Sequence, residues 1–279
     1  MRSAGLLLGI AGLAISVTPV SAQVPGGDVE RTCFVASVRG VGSIPVNPAG
    51  LAVRPDDDGV LVRYAVTDTQ KVDRETNVLF SLGNIGLSYR RLEATGRVGP
   101  REERAYRLAI AAGGSFLAFG NTIKMIEGDD STGIRRTYDL DAGVILHPAP
   151  FLAVGAVGEN LAEAEREPGV PTKRSFRAGA ALLLLDRRLV FDGELWGLEG
   201  IDVEKQATAR AGLAIRPAGG FTLSAGYERL PDAESETGWA SVGIDVSGVG
   251  FSAGVSKRRQ ADPVRVWGEF RLTLQTVRF

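Results

Sequence analysis

Ala207-Thr208-Ala209-Arg210-Ala211-Gly212-Leu213-Ala214-Ile215-Arg216 is a stretch in which two different surfaces alternate. Ala207, Ala209, Ala211, Leu213 and Ile215 share one parity, and Thr208, Arg210, Gly212, Ala214 and Arg216 the other. A period of two is the period of a β-strand, whose successive side chains point to opposite faces. The next run repeats it, with Phe221, Leu223, Ala225 and Tyr227 set against Thr222, Ser224, Gly226 and Glu228. Val249, Phe251, Ala253 and Val255 stand against Gly250, Ser252, Gly254 and Ser256, and Phe176, Ala178, Ala180, Leu182 and Leu184 against Ser175, Arg177, Gly179 and Ala181.

Working outward from these, the chain reads as about fourteen such runs, each of the roughly 9–11 residues that a membrane-crossing strand needs. They fall near 59–67, 75–82, 84–94, 105–113, 116–127, 134–147, 150–162, 173–185, 188–198, 205–217, 220–230, 237–247, 249–259 and 263–277. Gly83-Asn84 and Ser247-Gly248 read as hairpin turns, because Gly and Asn accept positive φ cheaply. The stretches 95–104, 128–133, 163–172 and 230–236 read as longer links. Residues 23–58 alternate weakly and carry Pro/Gly stretches, so they read as an N-terminal arm or plug.

The apolar parity holds Leu, Val, Ile, Phe and Ala with almost no charge. The polar parity mixes Gly, Ser and Thr with charges of both signs. That is the pattern of an apolar band around a polar interior. An open sheet edge cannot sit in lipid, so the barrel must close. The expected fold is all-β: a closed antiparallel transmembrane β-barrel of about fourteen strands over 59–279, with both ends on the periplasmic side.

Composition agrees. The chain has 279 residues and a net charge of −1, which opposes a basic nucleic-acid binder. Its 36 glycines follow no collagen period and belong to turns and close-packed strands. One Cys, Cys33, excludes an internal disulfide and any CxxC zinc site, and reads as a thiol packed in the arm. Residues 1–22 join Arg2, a short apolar core (Leu6–Ile15) and small residues at Ser21-Ala22, which reads as a cleaved export signal. The expected location is the outer membrane, with membrane lipid as the surroundings. Phe279 ends the chain in an aromatic residue, as in barrels whose last strand is read by the barrel assembly machinery.

Asn47-Pro48-Ala49-Gly50-Leu51-Ala52, just upstream of the first strand, resembles the element found near the N-terminus of FadL-like and PorV-like outer-membrane barrels. Val157-Gly158-Glu159-Asn160-Leu161 and Ala225-Gly226-Tyr227-Glu228-Arg229 are also similar to strand segments of that superfamily. The resemblance implies that Asn47, Pro48, Ala49, Gly50 and Leu51 belong to a plug. It also implies passive transport of small hydrophobic solutes, or a PorV-like role in holding secreted partners at the cell surface. The local chemistry is compatible with a plug: Asn47-Pro48 forms a turn, Gly50 permits a backbone kink and Leu51 packs inside.

Sites of covalent chemistry are weak. His147 is the single histidine, in His147-Pro148, and nothing near it in sequence completes a catalytic triad. The acidic turns Asp56-Asp57-Asp58-Gly59 and Glu127-Gly128-Asp129-Asp130 lack EF-hand spacing and read as solvated tips. No enzyme activity, cofactor, metal or nucleic acid is expected. The parity assignment turns Arg177, Asp192, Glu194, Trp196, Arg210, Glu228, Asp245, Arg265, Trp267, Glu269 and Arg271 into the lumen. Their mixed signs suit either a pairing network that rigidifies the interior or a narrow aqueous path.

Overall fold

The computed structural model describes residues 33–53, 58–67, 73–96, 99–130, 133–163, 165–167, 170–171, 174–198, 207–217, 220–229, 236–246, 248–258 and 264–273. The export-signal segment and Phe279 lie outside these residues.

Fourteen antiparallel strands close into one barrel. In chain order they are β1 (Gly59–Thr67), β2 (Asp73–Leu82), β3 (Ile85–Gly96), β4 (Gly99–Gly113), β5 (Leu117–Asp130), β6 (Gly133–Ala149) and β7 (Leu152–Glu159). A short hairpin, β8 (Glu165–Glu167) with β9 (Val170–Pro171), interrupts the series. The barrel resumes with β10 (Ser175–Leu184), β11 (Leu189–Leu198), β12 (Thr208–Ile215), β13 (Phe221–Arg229), β14 (Glu236–Val246), β15 (Val249–Arg258) and β16 (Arg265–Thr273). β10 pairs with β7 past the hairpin, and β1 pairs with β16, so no barrel strand is left with an open edge. Full pairing is what a lipid environment demands of a sheet.

Side-chain parity follows the sequence pattern. Along β10 the accessibility alternates strictly at most positions, with Arg177, Ala181 and Leu183 buried and Phe176, Leu182 and Leu184 exposed. Exposed Leu, Ile, Val, Phe and Tyr side chains circle the outer wall. A water-facing exterior would expel these groups; a hydrocarbon-facing one accepts them.

Strand ends depart from the sequence reading in one consistent way. The stretch 95–104 was expected as a long link, yet β3 runs to Gly96 and β4 begins at Gly99. The stretch 128–133 is likewise mostly strand. Here the outward residues become charged, so apolar alternation stops while the backbone ladder continues. Two ends can therefore be told apart: a turn end with connections such as 83–84 and 114–116, and a loop end to which β3–β6 extend.

The β10–β11 connection is unusual. Leu185, Asp186 and Arg187 all have positive φ (50, 54 and 65°), and the Arg188 N–H donates to the Leu185 carbonyl at 3.0 Å. One turn of left-handed backbone made without glycine is costly. Asp186→Gly is expected to stabilise the barrel by about 1 kcal/mol, read as a higher urea midpoint.

Candidate functional site

Residues 33–53 lie inside the barrel. The 3-10 turn Gly40–Ser43 and the single helical turn α1 (Gly50–Val53) pack against β1, β2, β4 and β5. Val41, Ile44, Leu51 and Val53 meet Leu61, Leu79, Ala109 and Ile145 from the barrel wall, all buried. The interior is therefore apolar under the arm, where the sequence reading expected a polar lining throughout. An apolar inward face is stable there because the arm covers it.

Asn47 joins the arm to the wall. Its fully buried amide Nδ2 donates to the carbonyls of Val35 (2.9 Å) and of Val144 on β6 (3.1 Å), and its Oδ1 accepts the Ala49 N–H at 3.2 Å. Gly120 and Gly143 lie directly beneath Pro48-Ala49 and Asn47; a Cβ at either position would collide with the arm. The sequence predicts a backbone kink at Gly50. The residue instead starts α1, and its need for glycine is close approach: a Cβ there would strike Ser43 and the Val38 carbonyl. Pro48 and Ala49 are buried, and Leu51 packs inside at 1% exposure. Asn47→Ala is expected to cost about 2–3 kcal/mol, since buried acceptors lose their donor. Faster proteolysis of the arm and a lower urea midpoint would register it.

The loop half of the interior carries paired charges. Glu194 on β11 has a side chain with 0% exposure. It accepts the Arg210 guanidinium (2.9 Å) and the Val35 N–H of the arm (2.9 Å), with Arg177 3.8 Å away. Arg177 also pairs with Glu159 on β7, and Arg210 with Glu228 on β13 at 3.3 Å. Glu159, Arg177, Glu194, Arg210 and Glu228 thus form an alternating ladder over five neighbouring strands. A second group joins Arg63 to Glu269 (2.9 Å) and Arg265 to Glu75 (2.6 Å). Lys124 pairs with Asp141 at 2.6 Å. These links run between neighbouring or next-neighbouring strands, so the network lines the wall. Inside a low-dielectric wall each charge needs such a partner.

The arm fills only one side of the turn half. Against β11–β16 it leaves a cavity of about 840 Å³ that reaches the turn-end rim. Phe34 from the arm, Trp239 on β14 and Trp267 on β16 close its inner end. Phe34 and Trp239 have ring centroids 6.5 Å apart, and the Arg63 guanidinium sits 4.3 Å from the Trp267 centroid. Asp192, Glu269 and Arg271 line the cavity, and Asp245 is exposed at its mouth. Trp196 lies beyond it, 4.9 Å from the Arg177 guanidinium. Cys33, in no disulfide, is a half-buried thiol on the cavity wall.

Other sequence candidates fall elsewhere. His147 sits near the end of β6, and no serine hydroxyl or carboxylate is hydrogen-bonded to its ring among the described residues. Asp58 is not a solvated tip: it is 4% exposed and accepts the Gly83 N–H at 2.6 Å, capping the β2–β3 turn. Asp56 and Asp57 lie outside the described residues. The Asn47–Val144 contact and the Glu194–Val35 tie are not legible in the sequence, because each joins positions far apart in the chain.

No family model and no curated protein matches the chain. Solved structures do. The CymD monoaromatic hydrocarbon channel superposes with a TM-score of 0.64 at 11% identity, covering 90% of this chain and 98% of that one. The toluene transporter TodX of Pseudomonas putida gives 0.59 at 11% identity, covering 92% and 98%. Omp33 of Acinetobacter baumannii, an outer membrane protein, gives 0.51 at 7%, covering 79% and 100%. At such identities the likeness establishes the fold.

Proposed function

We propose that the chain is an outer-membrane barrel of the FadL-like kind that lets small hydrophobic solutes cross passively. The observation that carries this reading is the cavity beside the arm, open at the turn end and closed inside by Phe34, Trp239 and Trp267. Three aromatic rings with Leu183 and Val190 on the flanking wall offer an apolar solute contact surface. The apolar outer wall supports a membrane setting, and the described functions of CymD and TodX, a hydrocarbon channel and a toluene transporter, support the solute class.

The mechanism needs no covalent step. A solute moves down its gradient, and the arm sets the aperture. Phe34 belongs to the arm, so any shift of the arm moves one ring of the inner closure. The buried ion pairs keep the wall itself rigid while this happens. The alternative of a surface barrel that holds secreted partners has no specific observation in its favour among the described residues.

The test is solute flux in liposomes containing the mature chain. Toluene-sized apolar solutes are expected to pass faster than sugars of equal size. Ala214 faces the cavity on β12. Ala214→Trp fills that space and is expected to cut apolar flux on the order of tenfold, as small pockets lose a ligand's fit when narrowed. Equal flux through wild type, variant and empty liposomes would refute transport.

A further inference from the structure

The outer wall over β2–β6 is layered by its register. One row is Phe80, Leu87, Leu108, Ile123 and Leu140, each opposite the next. Toward the loop end the next outward row is Val78, Tyr89, Tyr106, Met125 and Tyr138. Above that comes Thr76, Arg91, Arg104, Glu127 and Arg136. Apolar, aromatic and arginine-rich charged rows are therefore stacked in the order in which a lipid presents chains, interface and headgroup.

The two lower rows enclose a groove of about 500 Å³, with Phe80, Leu108, Ile123 and Tyr138 among its walls. The Tyr89 and Tyr106 rings lie 5.3 Å apart at its upper edge. Directly above, the side chains of Arg91, Arg104 and Arg136 are 44, 43 and 64% exposed. Arg91 and Arg104 share Glu102 at 3.1 and 2.6 Å, Arg91 also meets Glu93 at 2.8 Å, and Arg136 meets Glu127 at 2.7 Å. A guanidinium has five N–H donors, so these carboxylates hold the arginines in place and leave outward donors for a phosphate. The opposite wall differs: the outward row across β13–β16 is Ala225, Ala240, Val255 and Val266.

We propose that this wall binds a phosphorylated, multi-chain glycolipid of the outer leaflet, with acyl chains in the groove and phosphate on the arginine row. The inference rests on the outer-membrane reading, in which short turns face the periplasm and the loop end faces outward. It is independent of what passes through the lumen. The guanidinium donors left beyond these ion pairs and the adjoining groove together suit a lipid that carries phosphate and several chains, which a single-phosphate, two-chain lipid matches less well.

The experiment titrates fluorescent bis-phosphorylated lipid A onto the full mature chain in maltoside micelles. Replacing Arg91, Arg104 and Arg136 together by Gln is expected to weaken binding about tenfold or more. A control, Arg229→Gln with Lys257→Gln on the opposite wall, is expected to change it less than about twofold. Ile123→Trp, which fills the groove, is expected to weaken binding while leaving the arginines intact. Heat-modified gel mobility verifies that each variant is folded, and Arg136→Gln alone serves where the triple variant is not. The inference fails if dephosphorylated lipid A or phosphatidylglycerol binds as well as the bis-phosphorylated form. It also fails if the control weakens binding as much as the arginine variants. Normal solute flux without lipid binding overturns this site and leaves transport standing; a chain that does not enter liposomes removes the membrane reading beneath both.

Discussion

Deleting residues 23–53 is expected to turn a nearly closed barrel into an open pore. Single-channel conductance in planar bilayers should rise on the order of tenfold over the intact mature chain, because a barrel this wide holds water once emptied. The argument is geometric. The arm buries Val41, Ile44 and Leu51 against the wall and supplies Phe34 to the inner closure. What remains after deletion is the charged ladder, and its pairs join strands that sit side by side. Such pairs coat the wall and do not bridge the lumen. The barrel's own backbone ladder is complete without the arm, so heat-modified mobility should persist. Unchanged conductance in a folded deletion variant would mean that something other than the arm closes the lumen.

Glu194→Ala should be the most damaging single substitution, with a loss of about 3 kcal/mol. Glu194 is fully buried and serves Arg210, Arg177 and the Val35 N–H together. Arg210 keeps Glu228 and Arg177 keeps Glu159, which places the cost at the lower end of the range for a broken buried pair. Glu194→Gln retains an acceptor for Val35 and should cost less in arm docking than in barrel stability. Unfolding in urea from lipid vesicles reads the barrel, and proteolysis of the arm reads the docking. A loss below about 1 kcal/mol for Glu194→Ala would show that the ladder contributes little, as exposed pairs do.

The strands were legible because each must satisfy a two-sided environment. β1 was read at its observed bounds, Gly59–Thr67, since its outward and inward residues differ in kind from end to end. The sequence pattern of β4 stops short because Glu102, Glu103 and Arg104 sit above the apolar band, where polarity no longer distinguishes the faces. The β8–β9 hairpin is not legible in the sequence: its five strand residues, three charged with one Val and one Pro, carry no period. The inward positions Arg177, Glu194, Arg210 and Glu228 followed from parity alone, but their partners depended on which strands are adjacent and in what stagger. The arm was legible as an irregular segment, and Asn47 as a turn residue. That its amide reaches β6 depends on the barrel closing around it.

The ladder also bears on assembly. Glu194 stands opposite Arg210, and Arg210 opposite Glu228, across β11, β12 and β13. A slip of one residue would send these charges into lipid. A slip of two would keep them inside but set Glu194 against Gly212 or Thr208, leaving a carboxylate and a guanidinium unmatched in the wall. Neither mistake is tolerable in a medium that cannot solvate an ion. The alternating charges thus act as an index for the growing sheet, admitting each incoming strand at one stagger and rejecting its neighbours.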